Sequence, residues 1–393
     1  MAPSNTIQTE VCILGGGPAG MVLGNLLHEQ NIPCVVIERL DPESIKAEGR
    51  AGIIEWTTVA ALEKHGLAKQ MLSDHRTQGQ CEFRTPEWTF MLDYASLNGG
   101  RVHTVYPQTD LVYDLSKIFE QRGGQALYHV EGLSLEQSED DVTVHCKQLD
   151  DGGQLTIKAS FVVGCDGGRG LSKRTLPEGA VQVFHQEHDI HWLAVLAHVK
   201  PYFPYTIYAM HPDGMAAFLM RNDAVCRYYL QVDKNDVAEN WDEQRIWDTL
   251  EHRFFMTESL NRGSIYKKNT MSLRSLVTEP MRHQRLFLAG DAAHLIPPTG
   301  AKGMNLAIHD VLVLGELLIE LYQGNIKEED LDLYSQRRLP LIWKAQNFSL
   351  QLMHMIHRHP SDFDQQLWLS NVKQLETSPA FAASFSIDYV GIL

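Results

Sequence analysis

Short apolar runs and amphipathic stretches alternate in the N-terminal part of the chain. The run from Val11 to Leu14 predicts a buried strand, and the stretch from Ala19 to Gln30 predicts a helix. A second apolar run, Cys34 to Ile37, ends at an acidic residue, Glu38. This order of strand, helix and strand predicts the first unit of a parallel sheet.

Farther along, the pattern changes to strand-like runs. Cys81 to Tyr94 and Arg101 to Tyr106 predict two strands joined by a hairpin turn at 98–100. From about Val181 to Ser275, repeated short alternating runs predict a mostly antiparallel sheet in a second domain.

The C-terminal part carries the longest amphipathic stretches. A short buried strand is predicted from Leu286 to Ala289, which indicates that the chain returns to the first domain. Met304 to Tyr322 and Leu331 to Ile356 then predict two long helices.

Composition narrows the class of protein. The 393 residues carry 34 Lys and Arg against 49 Asp and Glu, a formal charge of −15, which argues against binding to nucleic acid or an anionic membrane. The polar start from Met1 to Glu10 has no apolar signal core, and no apolar segment reaches membrane length. Six scattered cysteines without a C-x-x-C pair suit a reducing compartment. We therefore predict a soluble, cytoplasmic protein.

The loop after the first strand carries a dinucleotide-binding pattern. Gly15 permits a tight turn, Gly17 lets the backbone approach a pyrophosphate, and Gly20 lets the helix and the strand pack closely. The pyrophosphate then lies at the helix N-terminus, where free N–H groups and the helix dipole favour anions. Glu38 follows about twenty residues later, where a carboxylate can bind the adenosine ribose.

Two further motifs change what this loop is expected to hold. Gly164-Cys165-Asp166-Gly167 and Gly290-Asp291-Ala292-Ala293-His294 each follow a predicted strand. In this order the three motifs resemble those of the flavoprotein aromatic hydroxylases (class A, FAD-dependent), and the resemblance extends along the whole chain. It implies an α/β fold with a Rossmann-type FAD-binding domain, a mostly antiparallel β-sheet substrate domain and C-terminal helices. The corresponding segments are 1–180 (FAD-binding domain), 181–275 (substrate-binding sheet), 276–345 (return to the FAD domain and flavin-contacting helix) and 346–393 (C-terminal helical or interface segment).

The resemblance also implies the residues that bind the cofactor. FAD would be bound, and NADH or NADPH would dock transiently as co-substrate, because no second dinucleotide-binding fold is present. The residues matching the FAD site are Gly15, Gly17, Ala19, Gly20, Glu38, Arg39, Arg50, Gln108, Asp166, Asp291, Met304 and Asn305. The helix after Pro298 would point its N-terminal amides at the flavin ring and stabilise negative charge there.

The implied reaction is hydroxylation of a phenolic acid. The resemblance implies that an NAD(P)H-reduced flavin forms a C4a-hydroperoxide with O2 and converts 4-hydroxybenzoate to 3,4-dihydroxybenzoate in a homodimer. Tyr208 and Tyr389 would relay the phenol proton, and Pro298 would lie near the reacting end of the substrate. Arg221 and Tyr229 would bind the carboxylate.

Three positions depart from the family pattern. Leu219 replaces a serine that binds the substrate carboxylate, which makes 4-aminobenzoate or a substituted hydroxybenzoate an alternative substrate. Glu48 replaces an arginine that helps to bind the nicotinamide cofactor, which favours NADH or weak NADPH binding. The relay histidine has no clear match among His75, Arg76, Thr77 and Gln78, so water or Gln78 is the alternative.

Two features of the sequence have a second interpretation. Glu48 and the missing histidine also fit a non-catalytic flavin-binding sensor, although the persistence of both relay tyrosines argues against it. His354, His357 and His359 lie on one helical stretch without an accompanying acid or cysteine, so no metal site is predicted.

Overall fold

The computed structural model describes residues 5–47, 52–74 and 76–391. The strands are β1 (Asn5–Leu14), β2 (Cys34–Ile37), β3 (Ile53–Ile54), β4 (Thr77–Gln78), β5 (Gln80–Arg84), β6 (Thr89–Asp93), β7 (His103–Val105), β8 (Gln125–Leu127), β9 (Val130–Gln137), β10 (Val142–Gln148), β11 (Gln154–Gly164), β12 (Gln182–His198), β13 (Thr206–Ala209), β14 (Ala216–Met220), β15 (Val225–Val232), β16 (Ser264–Glu279), β17 (Arg282–His283), β18 (Leu286–Leu288) and β19 (His294–Leu295). The α-helices are α1 (Pro18–Glu29), α2 (Pro42–Ala47), α3 (Trp56–Lys64), α4 (Lys69–Asp74), α5 (Tyr94–Leu97), α6 (Gln108–Gln121), α7 (Leu171–Arg174), α8 (Glu243–Arg253), α9 (Lys302–Tyr322), α10 (Leu333–Ile356), α11 (Asp362–Thr377) and α12 (Pro379–Val390). Short 3-10 turns span Ala238–Asn240, Gly290–Ala292, Pro298–Gly300 and Glu328–Asp332.

The first sheet is built around β1. It has the order β17-β18-β11-β1-β2-β8, and β1 runs parallel to both β2 and β11. β10 pairs with the edge of β11 that faces away from β1, and β9 pairs with β10, so the β9-β10-β11 meander extends the sheet on that side. Helix α1 packs between α6 and α9, and its apolar side chains form one core with theirs. The predicted parallel unit with packed helices is therefore confirmed.

The second sheet is mostly antiparallel, as predicted. Its order is β19-β16-β12-β15-β14-β13-β5-β6, and the pairing of β13 with β5 is parallel. One face belongs to the core shared with the first sheet, and the other face packs on α8 in a separate apolar cluster. This division places every second residue of β13, β14 and β15 toward the first sheet.

The hairpin predicted at 98–100 is wrong. β5 and β6 pair with each other through a turn at 85–88, in which the hydroxyl of Thr85 accepts hydrogen bonds from the amides of Glu87 and Trp88. Asp93 then caps α5 by accepting the amide of Ser96, so the chain becomes helical where a strand was expected. β7 pairs instead with β3 and β4 in a small third sheet. The hairpin turn is therefore formed around the side chain of Thr85 at 85–88, and not by the glycines at 98–100.

Both predicted C-terminal helices are present as α9 and α10. The apolar residues of α9 lie against α1, and those of α10 lie against α9 and the Pro298–Gly300 turn. No helix among the described residues is long and apolar enough to cross a membrane.

Candidate active site

The three sequence motifs meet in space. A Cβ atom added to Gly15 would lie 2.5 Å from the carbonyl oxygen of Cys165, and one added to Gly168 would lie 3.3 Å from that of Asp291. Gly15 also has a φ of +98°, which a side chain would disfavour. The phosphate loop, the loop after β11 and the loop after β18 therefore form one continuous surface.

The start of α1 fits a pyrophosphate. Gly17 is the N-cap, Pro18 follows, and no side chain caps the helix. A Cβ at Gly17 would meet nothing within 4 Å, whereas one at Gly20 would lie 1.9 Å from the carbonyl oxygen of Gly15. Ala19 is buried in the first turn. The helix end is therefore closely packed on the side of Gly20 and open on the side of Gly17, where an anion could reach the free amides.

Glu38 lies at the end of β2, directly beside the phosphate loop. One oxygen accepts the amide of Gly16 at 2.7 Å, and the other accepts the amides of Arg39 and Leu40 at 2.8 and 3.1 Å. The side chain of Arg39 is exposed. Glu38 therefore fixes the loop, and a ribose hydroxyl would bind the remaining acceptor positions of a carboxylate that is already oriented.

The loop that carries Asp291 rests on a buried carboxylate that the sequence analysis missed. Asp310 of α9 accepts the amide of Gly290 at 3.0 Å, Nε2 of His294 at 2.6 Å and Nε of Arg338 at 2.9 Å. Burial alone would raise the pKa of Asp310, but these neighbours outweigh it and lower the pKa to about 2. Asp310 is therefore ionised and anchors the loop, while Asp291 itself is exposed.

Two other predicted cofactor residues lie on neighbouring loops. Asp166 caps α7, since its carboxylate accepts the amide and the hydroxyl of Ser172 at 2.9 and 2.5 Å. Burial raises its pKa, and the hydrogen bonds from Ser172 oppose that rise. Gln108 is the first residue of α6 and is half-buried. Its neighbour Tyr106 donates its amide to the carbonyl of Gly52 at 2.9 Å, which joins this segment to the one that precedes β3.

The first turn of α9 is linked by Asn305 to the segment around β3. The N-cap residue, Ala301, adopts a left-handed conformation with φ of 53°, and its own side chain makes no capping hydrogen bond. The side-chain oxygen of Asn305 accepts the amide of Glu55 at 2.9 Å, and its nitrogen donates to the carbonyl of Ile53 at 3.2 Å. Met304 is half-buried beside it. This turn can offer backbone N–H groups to a flavin, as predicted for Met304 and Asn305.

The candidate substrate residues share one face of the second sheet. Tyr208 pairs with Ala217, and Ala217 pairs with Tyr229 on the next strand. Neighbouring strands lie about 4.8 Å apart, so the two tyrosine backbones are about 10 Å apart across a methyl side chain. Leu219 is on the same face, directly opposite Arg227. The small Ala217 therefore separates Tyr208 from Tyr229 on this face of the sheet.

The two relay tyrosines are in contact. The hydroxyls of Tyr208 and Tyr389 are 3.0 Å apart, and the Tyr208 hydroxyl lies 3.4 Å from the carbonyl oxygen of Thr299. Both side chains are buried. Burial raises the pKa of both phenols, so each stays neutral at neutral pH and can accept one proton while it donates another.

Two buried side chains, Lys302 and His103, hold the backbone of Tyr389 in place. The sequence analysis assigned neither of them a role. Nζ of Lys302 donates to the Tyr389 carbonyl at 2.9 Å and to Oε1 of Glu55 at 2.5 Å. Nε2 of His103 donates to the same carbonyl at 2.8 Å, and the His103 and Tyr389 rings are 4.9 Å apart. Burial, and next the charge of Lys302, lowers the pKa of His103 to about 3, so its ring is neutral.

The remaining substrate residues have defined partners. Nη2 of Arg221 donates to the hydroxyl of Thr109 at 3.0 Å, and the guanidinium is half-buried. The hydroxyl of Tyr229 accepts Nη1 of Arg227 at 3.2 Å. The carbonyl of Pro298 accepts the amide of Ala301 at 3.1 Å, so Pro298 shapes the turn beside Tyr208.

Other residues singled out in the sequence remain. Arg50, Glu48 and His75 are outside the described residues. Gln78 is buried, and its side-chain oxygen accepts the hydroxyl of Thr206 at 3.2 Å, so this oxygen contacts β13 rather than a relay hydroxyl. Both ring nitrogens of His357 are engaged, one by Trp192 at 2.6 Å and one by the carbonyl of Met353 at 2.6 Å, which fits a packing role.

Comparisons with known proteins identify relatives that match most of the chain. A family model described as FAD binding domain matches residues 8–349. The chain is 36% identical over 392 residues to a p-hydroxybenzoate hydroxylase of Acinetobacter baylyi, covering 98% of this chain and 96% of that protein. A 3-(3-hydroxy-phenyl)propionate/3-hydroxycinnamic acid hydroxylase of Shigella sonnei is 26% identical over 86% of this chain, which spans 60% of that longer protein.

Solved structures share the fold. A p-nitrophenol 4-monooxygenase of Pseudomonas putida superposes with a TM-score of 0.86 over 98% of both chains at 17% identity. An aklavinone-11 hydroxylase in complex with FAD and aklavinone gives 0.76 over 88% of this chain and 69% of that one, at 20% identity. The matched family model and the 36% identical relative together show that this chain belongs to the class A, FAD-dependent aromatic hydroxylases.

Proposed function

We propose that the protein is a 4-hydroxybenzoate 3-monooxygenase, which uses NAD(P)H and O2 to form 3,4-dihydroxybenzoate. The observation that carries the proposal is the buried contact between the hydroxyls of Tyr208 and Tyr389. Arg221 follows directly after β14, and its guanidinium contacts Thr109 of α6. A para-hydroxylated benzoate has a phenol for the first two residues and a carboxylate for the third. The 36% identical p-hydroxybenzoate hydroxylase supports the same substrate class.

The proposed roles follow from the contacts. The Gly15 loop and the start of α9 would hold FAD, which would carry reducing equivalents from NAD(P)H and activate oxygen. Tyr208 accepts the proton of the substrate phenol while it donates its own proton to Tyr389, and Tyr389 passes its proton on to water, so neither tyrosine is left charged. This transfer makes the ring electron-rich at the carbon ortho to the oxygen. Arg221 pairs with the carboxylate and sets which carbon faces the flavin.

A second candidate substrate is favoured by Leu219. In this strand a leucine lies opposite Arg227, where the family pattern has a serine. One hydroxyl donor to the carboxylate is then missing, worth about 0.5–1.5 kcal/mol. A related para-substituted benzoate, such as 4-aminobenzoate or a ring-substituted 4-hydroxybenzoate, is therefore the alternative on the same site.

The test is a substrate panel on the FAD-loaded protein. NADH and NADPH are supplied separately with 4-hydroxybenzoate, 4-aminobenzoate and ring-substituted 4-hydroxybenzoates, and coenzyme oxidation and hydroxylated product are both quantified. The proposal expects 4-hydroxybenzoate to stimulate oxidation with one 3,4-dihydroxybenzoate per coenzyme oxidised. Stimulation that yields hydrogen peroxide in place of product would reject 4-hydroxybenzoate as the substrate. Absence of stimulation by every benzoate would instead favour the flavin-binding sensor.

The proposal also includes partners. Besides the aromatic acid, O2 and NAD(P)H, we propose a homodimer, since the family resemblance and the apolar C-terminal helices favour one. Sedimentation velocity at several protein concentrations measures the oligomeric state directly, and a single monomer boundary at all of them would contradict it.

A further inference from the structure

A cluster of two histidines and one aspartate lies on the outer side of the second sheet. His211 and Asp213 occupy the turn between β13 and β14, and His252 is in the last turn of α8. Nε2 of His252 is 2.9 Å from a carboxylate oxygen of Asp213, and Nδ1 of His211 is 3.6 Å from the same oxygen. The two imidazole rings are 4.3 Å apart. One potential ligand atom of each residue lies within 4.8 Å of the others.

One ring nitrogen of each histidine in this cluster can offer a lone pair to a metal ion. Nδ1 of His211 accepts the backbone amide of Asp213 at 3.0 Å, so this nitrogen carries no proton in the neutral ring. Nε2 of His252 faces the carboxylate, where it can bind as a proton donor or, after losing that proton, as a ligand. A metal ion would replace the amide at His211 and the proton at His252. The three residues thus need only small side-chain movements to converge on one ion.

We propose that His211, Asp213 and His252 form a binding site for a divalent transition-metal ion such as Zn²⁺, Ni²⁺ or Cu²⁺. Imidazole nitrogen with a single carboxylate is a donor set that these ions prefer, whereas Mg²⁺ and Ca²⁺ select sites made of several oxygens. His252 and Asp213 are exposed and His211 is half-buried. The ion would therefore keep one or more water ligands on its outer side.

One positively charged side chain lies beside the cluster. The opposing charge is Arg253, but its guanidinium is directed at the carbonyls of Met215 and Gln231, at 3.2 and 2.7 Å. Its presence reduces the affinity for a cation without occupying the ligand positions.

No spacing signal marks this site in the sequence, because His252 is far along the chain from the other two residues. Its position has a structural consequence. β13 carries Tyr208 and β14 carries Leu219, so an ion would fasten the turn between these two strands to α8. Binding is therefore expected to raise the unfolding temperature of the protein.

The experiment uses the chelator-treated, FAD-loaded full chain without a polyhistidine tag, titrated with ZnCl2 by calorimetry at pH 7.5. Wild type is expected to bind one equivalent, and His252→Ala to bind at least tenfold more weakly. Cu²⁺ electron paramagnetic resonance is expected to show two nitrogen ligands in wild type and one in His252→Ala. Zn²⁺ is expected to raise the unfolding temperature of wild type only.

The matched control is His129→Ala. His129 also contacts two aspartates, but Asp150 lies on Nδ1 at 2.6 Å and Asp41 on Nε2 at 3.2 Å, so the two carboxylates flank opposite sides of the ring and cannot share one ion with it. This variant is expected to bind Zn²⁺ as wild type does. Equal Zn²⁺ affinity in wild type and His252→Ala, or tighter binding of Mg²⁺ than of Zn²⁺, would overturn the proposal.

Discussion

Replacing Asp310 by asparagine tests whether a buried charge holds the cofactor loop. Its carboxylate is fully buried and accepts three donors, from Gly290, His294 and Arg338. Asparagine has the same shape but no charge, and its amide nitrogen would face a donor. The guanidinium of Arg338, only 1% exposed, would then lack its carboxylate partner. Breaking a buried pair in this way costs about 3–5 kcal/mol of unfolding free energy.

The pKa of Asp310 gives an independent figure. A carboxyl pKa lowered from 3.8 to about 2 corresponds to about 2.5 kcal/mol of stability. Because the folded-state pKa lies below the unfolded one, this stability is present above pH 3.8 and is lost as the pH falls through about 2. The asparagine variant is therefore expected to lose more than this amount at pH 7, since it also leaves Arg338 unpaired.

The assay is urea unfolding of the FAD-loaded protein, combined with fluorescence titration of FAD into the apoprotein. Asp310→Asn is expected to unfold at lower urea and to bind FAD more weakly, because Gly290 loses the acceptor that shapes the loop. Glu316→Gln on the same helix is the control: its partner Arg337 is 4.0 Å away and both are exposed, so a change below about 1 kcal/mol is expected. An Asp310→Asn variant as stable as Glu316→Gln, with unchanged FAD affinity, would refute the reasoning.

Three further substitutions test the proposed substrate contacts. Arg221→Ala is expected to raise the KM for carboxylated substrates about 10–150-fold, the equivalent of one charge-assisted hydrogen bond, and an unchanged KM would show that the carboxylate binds elsewhere. Tyr208→Phe is expected to reduce product formed per coenzyme oxidised, because the phenol loses its proton acceptor 3.0 Å from Tyr389; full coupling would remove Tyr208 from the mechanism. Leu219→Ser is expected to lower the KM for 4-hydroxybenzoate about 2–10-fold, and a raised KM in steady-state assays would contradict the missing-donor argument.

The parts of the fold that follow local patterns were predicted from sequence. The run from Val11 to Leu14, the glycine loop and the helix after it form as expected, because each depends on neighbours within a few residues. The long amphipathic stretches likewise became α9 and α10. Periodicity gave no indication that β5 would join β13 in a parallel pair, since that contact depends on tertiary packing.

The residues of the candidate site could likewise be predicted only in part from the sequence. Tyr208 and Tyr389 are 181 residues apart, and family resemblance, not spacing, predicted that they act together; the structure brings their hydroxyls into contact. Asp310 had no such signal. A single carboxylate on an amphipathic helix is usually solvent-exposed, and only the packing of α9 against α10 reveals that it faces Arg338 and His294. Buried polar networks of this kind depend on partners that sequence order does not bring together.

Under the proposed function, we expect Leu219 to affect which benzoate binds rather than whether hydroxylation occurs. The proposed proton path through Tyr208 and the proposed anchor at Arg221 do not involve its side chain. A lost hydroxyl donor costs about 0.5–1.5 kcal/mol, whereas each buried methylene of a substituent packed on Leu219 returns about 0.8 kcal/mol. The missing donor weakens both acids equally, so a ring whose added methyl group packs on Leu219 would bind about 0.8 kcal/mol more strongly than the unsubstituted acid. We infer that residue 219 changes the order of preference among para-substituted benzoates, while the relay tyrosines determine the reaction.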